Sequence, residues 1–308
     1  MTFDANLLLQ AASNAAAGQQ YPKGALYLVA TPIGNLADMT LRAIQVLSLV
    51  DVVACEDTRV TGRLLQHLGL DKRMMSVHQH NEAGAAHHVI EALQQGLRVA
   101  YVSDAGTPAV SDPGAHLVAQ VQAAGLRAVP IPGVSSVTTA LSVAGDTSGG
   151  GFHFMGFLPA KGAARLTALE AALAWPGSVV LFEAPHRIND LARELHSLAP
   201  TRRVTLCREL TKQFEEIATL TLVDLPEWIK AQAHRDRGEF VVVVHAATTL
   251  DVPQGLSDEV QAVLRALSEH LPVKQAAGLV ADLTHLPRKA LYEQALRWRQ
   301  EGSPDSGD

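Results

Sequence analysis

The chain has 308 residues, of which 47% are hydrophobic and 18% charged, so a sizeable core can be buried and two domains are expected. Its formal net charge of −6 argues against indiscriminate binding of nucleic acid, although it leaves room for a local basic groove. No apolar run approaches the roughly 18 residues that a membrane helix needs, and the N-terminus lacks the basic start of a signal peptide.

The first half of the chain predicts a flexible tail followed by a parallel α/β domain. Residues 1–22 are rich in Ala, Asn, Gln and Gly, and we expect them to form a frayed tail. Between residues 23 and 147, apolar runs of strand length alternate with segments of helical spacing, which is typical of a parallel sheet covered by helices. The predicted strands are residues 24–30, 50–55, 74–77, 97–102 and 127–131.

The loop at residues 103–114 is the main candidate for a ligand site in this domain. It follows one predicted strand and precedes a predicted helix, and such loops lie at the carboxyl ends of parallel strands, where ligands bind. Gly106 and Gly114 allow the backbone to approach a ligand closely, and Asp104 and Asp112 are acceptors for a hydroxyl or an amino group. A rigid turn with Asp caps is the alternative explanation.

Three further strand ends in this domain carry polar groups. The loop Thr31-Pro-Ile-Gly-Asn35 does not match the dinucleotide fingerprint G-x-G-x-x-G. The run Glu56-Asp-Thr-Arg59 suits ligand contact, and equally suits the start of a helix capped by its second or third residue. Ser135 and Ser136 begin a predicted helix, where they either present hydroxyl and backbone N–H groups to a ligand or provide an ordinary cap by Ser135.

No metal is expected. His78 and His80 stand two residues apart, but the surrounding run lacks a clear third ligand, so we interpret them as surface or polar-site residues. Cys55 and Cys207 are far apart without metal-ligand spacing. We therefore interpret them as reduced core thiols of a cytosolic protein.

Residues 148–250 predict a second α/β domain, which follows a flexible break at residues 146–151. The predicted strands are residues 152–157, 178–182, 204–207 and 240–245. Basic side chains occur at strand ends or in loops, as in a local anion-binding groove: Lys161, His186, Arg187, Arg208 and Lys212. Scattered loop ion pairs of little energetic effect are the alternative explanation.

Residues 251–308 predict a helical tail domain with helices at residues 258–268, 273–283 and 287–299. The last two have helix-turn-helix proportions, and Lys274, Arg288 and Lys289 are placed to meet phosphates. The tail holds more acidic than basic residues, so strong DNA binding is not expected. A small helical bundle that serves in packing or in guiding RNA agrees better with this charge.

Seven motifs carry a family resemblance, and they occur in this order at residues 27–42, 56–59, 80–82, 103–114, 156–161, 183–187 and 208–212. Together they resemble the bacterial 16S ribosomal RNA (cytidine-2′-O)-methyltransferases of the tetrapyrrole methylase superfamily, over about residues 24–299. Each motif alone is weak evidence for the family, whereas all seven motifs in this order are specific evidence for it. The helical tail also resembles that family and is not expected in methylases of porphyrin precursors.

The resemblance implies two α/β domains of tetrapyrrole-methylase type with S-adenosylmethionine in the cleft between them, a small C-terminal helical bundle, and a homodimer. It implies methylation of one cytidine 2′-hydroxyl in the decoding region of 16S ribosomal RNA, free or within the 30S subunit. The cofactor-binding residues carried over are Pro32, Ile33, Asp104, Ala105, Gly106, Thr107, Val110, Ser135 and Ser136, with Glu183 and Leu210 as weaker candidates. Many tetrapyrrole enzymes have Gly-Asp-Pro where this chain has Gly106-Thr-Pro108, so no cofactor contact by that Asp is expected.

Catalytic roles rest on side-chain type and strand-end position. Glu183 or His186 would remove the 2′-hydroxyl proton, and Lys161 or Arg187 would stabilise the alkoxide or grip a flanking phosphate. Phosphate contacts are predicted at three more basic residues, Arg59, Arg208 and Lys212. Two alternatives stay open: a methyltransferase acting on a tetrapyrrole precursor, and a nucleic-acid-binding regulator that uses the tail, which the tail's acidic balance disfavours.

Overall fold

The computed structural model describes residues 4–77, 82–148, 150–247, 258–284 and 286–301. The chain forms two compact units, Met1–Ala247 and Thr248–Asp308. In the described part of the chain, the larger unit contains two five-stranded sheets, and the smaller one contains three helices. Within the described ranges, no helix combines the length and the apolar character needed to cross a membrane.

The first sheet is parallel throughout, as the alternating pattern predicts, with the strand order β3-β2-β4-β1-β5. Its strands are β1 (Ala25–Val29), β2 (Val52–Cys55), β3 (Arg73–Ser76), β4 (Val99–Val102) and β5 (Arg127–Ile131). The helices that follow them are α2 (Leu41–Leu49), α3 (Thr58–His67), α4 (Glu82–Gln94), α5 (Ala115–Ala123) and α6 (Ser136–Ala144). Strands β2 and β4 are buried at every residue, as expected for parallel strands covered on both faces.

The strand order places a topological switch point between β1 and β4. From β1 the chain crosses over β4 to reach β2, whereas from β4 it crosses over β1 to reach β5. The loops after these two neighbouring strands therefore diverge and leave a crevice, which is where open α/β sheets bind ligands. These loops are residues 30–35 and 103–114, both of which the sequence marks as candidate ligand loops.

The expectation of a frayed tail at residues 1–22 is wrong for the described residues. Helix α1 (Ala5–Ala16) begins at Asp4, whose carboxylate accepts a hydrogen bond from the Asn6 N–H at 2.9 Å. Its apolar face buries Ala12 in the core of the first sheet, Ala16 is also buried, and α1 packs on α2. The Ala-rich composition that suggests disorder is here that of a short helix stabilised by tertiary packing.

The second sheet is mixed, with the strand order β6-β7-β10-β8-β9. Its strands are β6 (Phe152–Phe157), β7 (Ser178–Glu183), β8 (Arg203–Arg208), β9 (Glu216–Thr221) and β10 (Phe240–Val244). Its helices are α7 (Ala163–Ala174), α8 (Ile188–Leu198) and α9 (Leu225–Lys230). Only the β6–β7 pair is parallel. Strand β9 and helix α9 are absent from the sequence prediction, and the division between the two α/β halves at residues 147 and 148 stays a prediction.

The tail contains α10 (Asp258–His270), α11 (Val273–Thr284) and α12 (Arg288–Glu301), in agreement with the three predicted helices. They enclose a core of their own, which includes Leu264, Val280 and Leu291. The guanidinium of Arg288 donates to the backbone carbonyl of Lys274 at 3.2 Å, so part of its hydrogen-bonding capacity is used within the bundle. The Lys289 side chain lies outside the described residues.

Candidate functional site

A cavity of about 400 Å³ opens at the crevice between the two sheets, a size typical of small-molecule sites. Its walls come from the loops after β1, β4 and β5 and from the second sheet. Eight of the nine cofactor-binding residues predicted from the sequence line it: Ile33, Asp104, Ala105, Gly106, Thr107, Val110, Ser135 and Ser136. The ninth, Pro32, is not among the lining residues. Both weaker candidates, Glu183 and Leu210, contribute to the lining.

Backbone hydrogen bonds fix the loops of the first sheet around this cavity. Thr31 and Gly106 exchange two of them, at 2.9 and 3.0 Å, and so join the loop after β1 to the loop after β4. The hydroxyl of Thr107 donates to the carbonyl of Val134 at 3.0 Å, which joins the loop after β5. Gly106 has φ +77° and a Cβ there would lie 3.3 Å from Ile33 Cγ2, so glycine suits this close approach.

Of the two possibilities left open for Ser135, the ordinary helix cap is not observed. Ser135 occupies the N-cap position of α6, but in the described structure its side chain makes no capping hydrogen bond. Its backbone carbonyl instead accepts the hydroxyls of Thr138 and Thr139, at 3.2 and 2.8 Å. The hydroxyl of Ser135 and the N-terminus of α6 therefore face the cavity with hydrogen-bonding capacity for a ligand.

Carboxyl groups with altered acidity surround the first-sheet side of the cavity. Burial raises the pKa of Asp112, and the nearby charge of Asp104 raises it further despite a hydrogen bond from Ser103. Burial also raises the pKa of Asp104 and that of Glu56, and the charges of Asp104 and Asp112 add to the effect on Glu56. Raised carboxyl pKa values beside a cavity are typical of functional sites. The sequence marks Asp112 as an acceptor without assigning it a catalytic role.

Glu183 is placed as an ion-pair partner and not as a free base. Its buried carboxylate lies 3.0 Å from the guanidinium of Arg165 and 3.1 Å from that of Arg187, and it also accepts the Ala184 N–H at 2.9 Å. Both oxygens are therefore already engaged, although the residue does line the cavity. A carboxylate bonded in this way is poorly suited to take a proton from a substrate.

The other three predicted catalytic residues lie outside the main cavity. Lys161 and Arg187 line a separate recess of about 270 Å³, together with Arg165 and Arg193. His186 is exposed in a 3₁₀ turn after β7 and lines neither of these two cavities in the described structure. The structure therefore does not bring Glu183, His186, Lys161 and Arg187 together around one point.

Of the three predicted phosphate contacts, Arg208 is contradicted by the structure. Its guanidinium is buried and donates to the carbonyls of Arg237 at 2.7 Å and Phe214 at 3.1 Å. It lies 3.8 Å from the Glu216 carboxylate, which balances its charge. Arg208 therefore holds the loops around β8 and is not accessible to an RNA backbone.

The charge of Lys212 is also neutralised within the protein. Its ammonium pairs with the carboxylates of Glu209 at 3.0 Å and Glu239 at 3.1 Å. Burial lowers the pKa of Lys212, but the hydrogen bonds to the two glutamates raise it overall. Its stem lies against Gly34, where a Cβ would collide with it. Lys212 thus fastens the loop after β1 to the second sheet.

Arg59 remains accessible. Its side chain is 84% exposed and pairs with Asp57 at 2.6 Å. Asp57 also caps α3, as the sequence allows, and the hydrogen bonds from Arg59 lower the pKa of Asp57 to about 2. The pairing leaves the outer face of the guanidinium open to solvent, so the predicted phosphate contact at Arg59 is compatible with the geometry.

The aromatic and apolar wall of the cavity is what sequence reasoning missed. The second sheet supplies Phe157, Phe182, Pro185, Phe240 and Val241. Phe157 ends β6 and Pro185 follows β7, and these strand-end positions were the only signal in the sequence. Cys55 and Cys207 are free and buried, as expected. His78 and His80 lie outside the described residues, among which no cluster of three metal-ligating side chains occurs.

Comparisons with known proteins agree with this architecture. The family model described as "Tetrapyrrole (Corrin/Porphyrin) Methylases" matches residues 25–226, and the "RsmI C-terminal HTH domain" matches residues 254–299. A Neisseria meningitidis serogroup B protein named ribosomal RNA small subunit methyltransferase I is 44% identical over 295 residues, which cover 95% of this chain and 98% of that protein. A Vibrio cholerae protein of the same name is 45% identical over 278 residues, covering 89% and 96%.

The fold also occurs in a solved structure. Uroporphyrin-III C-methyl transferase from Thermus thermophilus, complexed with S-adenyl homocysteine, superposes with a TM-score of 0.51 at 18% identity. The match covers 71% of this chain and 96% of that one. The predicted fold class, two α/β halves of tetrapyrrole-methylase type followed by a helical bundle, is confirmed.

Proposed function

The chain belongs to the ribosomal RNA small subunit methyltransferase I family of the tetrapyrrole methylases, and we propose that it methylates a cytidine ribose 2′-hydroxyl in the decoding region of 16S ribosomal RNA, with S-adenosylmethionine as the methyl donor. One observation carries the proposal: the cavity between the sheets gathers eight of the nine residues that the family pattern assigns to the cofactor. The match of the C-terminal domain supports an RNA substrate over a tetrapyrrole precursor.

The residues that line the cavity fit such a cofactor. Small side chains and the close backbone approach at Gly106 leave a concave surface beside the apolar groups of Ile33 and Leu210. Ser135 provides a hydroxyl that is not used as a helix cap. Asp104 and Asp112 place negative charge in the lining, which complements the positive charge of a sulfonium.

When bound, S-adenosylmethionine would supply an activated methyl group on a positively charged sulfur. The residues that line the cavity would hold this donor beside the ribose, so that the 2′-oxygen could take the methyl group as the sulfur leaves and a base could take the 2′-hydroxyl proton. The main task of the protein is alignment, because proximity and orientation together are worth up to roughly 7–11 kcal/mol. A base for the proton adds a rate factor of about 10²–10⁴.

Asp112 suits the role of that base better than Glu183 does. Asp112 lines the cavity and its pKa is raised by burial, so it holds a proton more readily than an exposed carboxylate. Glu183 instead neutralises Arg165 and Arg187, and we assign it a positioning role. His186 is exposed in its turn and does not line the cofactor cavity in the described structure, so it is less well placed than Asp112.

The partners follow from the same proposal. We expect 16S ribosomal RNA or the 30S subunit as substrate, a homodimer as the active assembly, and a cytoplasmic location where ribosomal subunits are assembled. The net charge of −6 speaks against general DNA binding. Local recognition of RNA then depends on a few exposed basic groups, such as Arg59.

The decisive experiment is transfer of labelled methyl from S-adenosylmethionine to 30S subunits that lack the modification, and to their naked RNA, followed by mapping of the labelled nucleotide. Label on a single cytidine 2′-oxygen is the expected result. No label on either substrate, with cofactor binding demonstrated by calorimetry, would overturn the RNA proposal. Transfer to a tetrapyrrole precursor under the same conditions would support the alternative substrate.

A further inference from the structure

Phe157 is an aromatic side chain exposed at the wall of the cofactor cavity. It ends strand β6, lines the cavity, and is 59% exposed. One edge of the ring contacts Phe182, at 5.5 Å between centroids and 65° between planes, and Phe182 in turn contacts Phe154 at 4.9 Å. We propose that Phe157 is the platform on which the base of the target nucleotide stacks. This inference rests on the proposed RNA substrate.

The backbone of β6 explains why this ring is exposed. The pairing of β6 with β7 shifts register between Phe154 and Gly156, so Met155 is the extra residue of a bulge. Gly156 has φ +66°, a conformation that most other residues adopt only with strain. Bulges re-aim the side chains that follow them and are frequent beside functional sites. Here the bulge immediately precedes the ring of Phe157.

The segment that follows Phe157 is held in place by buried charge. The Arg187 guanidinium donates to the carbonyls of Leu158 at 2.8 Å and Pro159 at 3.1 Å, and the Arg165 guanidinium also donates to Pro159, at 3.1 Å. Glu183 balances both guanidinium groups. Because this platform is already fixed, little conformational entropy is lost when a ligand binds to it.

The surroundings of Phe157 favour a single-stranded nucleotide as the occupant. Four residues further along the chain, Lys161 lines the basic recess, and its ammonium has no ion-pair partner within the described part of the chain. An exposed aromatic ring, followed four residues later by a cation without an ion-pair partner among the described residues, matches the way proteins bind unpaired nucleotides, with the base stacked and the phosphate contacted. The ring also lines the same cavity as Asp112, the residue proposed to take the proton of the ribose 2′-hydroxyl.

The test compares Phe157→Ala with Phe152→Ala as a matched control. Phe152 starts the same strand, is 51% exposed, and is absent from the lining of the cofactor cavity. Stacking on one base is worth about 1–3 kcal/mol, so Phe157→Ala is expected to raise KM for 30S subunits about 5- to 150-fold. The Kd for S-adenosylmethionine and the Tm should stay unchanged. Phe157→Trp should restore KM, and Phe152→Ala should leave it unaltered.

Three results would overturn the inference, and they separate it from the proposed function. Equal KM values for the Phe157→Ala and Phe152→Ala variants would exclude stacking at this position. A weakened cofactor Kd with an unchanged KM for subunits would assign the ring to the cofactor. Absence of methyl transfer to RNA by the unmodified protein would overturn the proposed function and this inference with it.

Discussion

The carboxylate of Glu183 and the guanidinium of Arg165 form an ion pair of 3.0 Å in which both side chains are buried. Arg187 shares the same carboxylate, and the two arginines together hold the carbonyls that follow Phe157. A residue that the sequence marks as a catalytic base therefore organises one wall of the cavity. Replacing Glu183 should therefore affect catalysis by disturbing that wall of the cavity.

Glu183→Ala is expected to lower the free energy of unfolding by about 3–5 kcal/mol, because Arg187 loses its carboxylate partner and the buried Arg165 keeps only the partly exposed Glu194. Urea unfolding followed by circular dichroism measures the change. Glu194→Ala is the matched control. Glu194 pairs with the same Arg165 but is partly exposed, so about 1 kcal/mol or less is expected. Glu183→Gln should keep the pH dependence of kcat. A kcat that no longer depends on pH, with stability intact, would identify Glu183 as the base.

Asp112→Asn is expected to raise the free energy of unfolding at pH 7 and to lower kcat. Because the folded pKa of Asp112 is raised, its contribution to stability is complete below the unfolded pKa near 3.9 and is lost as pH rises through the folded pKa. The uncharged variant avoids that loss, so it should be more stable than the unmodified protein at pH 7 and gain nothing at pH 3.5. If Asp112 is the base, kcat should fall about 10²–10⁴-fold.

The measurement for Asp112 is denaturant unfolding at the two pH values beside a methyl-transfer assay. Asp71→Asn serves as the control, since Asp71 is exposed and lies outside the cavity lining. A gain in stability that is the same at both pH values would contradict the assigned electrostatic cause. An unaltered kcat would remove Asp112 from the mechanism while leaving its electrostatic effect on stability in place.

The cavity wall built by the first sheet was predictable because its signals are local. Glycine, proline and aspartate in the loop 103–114 follow an apolar strand, and parallel strands bring their carboxyl ends to one edge. The roles of the basic residues were not predictable in this way. Arg208 is structural because the carbonyl of Arg237, 29 residues away, accepts its N–H. The sequence around Arg208 carries no sign of that contact.

The dependence on distant contacts also explains why the sequence did not predict α1 and β9. Helix α1 is stable because Ala12 lies in the core of the first sheet and Leu8 and Leu9 pack against that core, and composition alone does not reveal a distant partner. Strand β9 lies at the edge of the second sheet, and each of its residues is half-buried or exposed. Local pattern therefore predicts elements with strong periodicity, whereas long-range packing decides the weaker ones.

Arg59 and Arg208 should differ in how they affect RNA binding. If Arg59 contacts a phosphate, Arg59→Ala should reduce the slope of log Kd against log salt by about 0.7–0.9, since one counterion fewer is released. Arg208→Ala should leave the slope unchanged, because the guanidinium is buried, and should instead cost about 1–3 kcal/mol of stability. Filter binding at several salt concentrations measures the slopes. Equal slopes for both variants would exclude the phosphate contact at Arg59.

Both cysteines should be unreactive in the folded protein. Burial raises the pKa of the Cys207 thiol to about 12, and burial also raises that of Cys55. Thiolates are the reactive species, so a thiol reagent at pH 8 should modify neither residue until the protein unfolds. Titration in denaturant should then reveal two thiols per chain. Rapid modification of one thiol in the native protein would show that its surroundings open readily.

Asp146 joins three segments where the chain passes from the first sheet to the second, and its replacement should loosen that crossing. Its carboxylate accepts the Ser178 hydroxyl at 2.7 Å, the Ala246 N–H at 2.7 Å and the Ser148 N–H at 2.9 Å. Burial by itself raises the pKa of Asp146, but these hydrogen bonds lower it overall. Asp146→Ala is expected to cost about 1–3 kcal/mol at pH 7, because donors at the crossing lose their acceptor.

The pH dependence of the free energy of unfolding distinguishes hydrogen bonding by the charged Asp146 carboxylate from simple packing of its side chain. Because its folded pKa is lowered, its stabilisation is complete above the unfolded pKa near 3.9 and is lost as pH falls toward the folded value. The difference in unfolding free energy between Asp146→Asn and the unmodified protein should therefore shrink between pH 5 and pH 3. Urea unfolding across that range measures it. A difference that stays constant with pH would mean that the shape of the side chain matters and its charge does not.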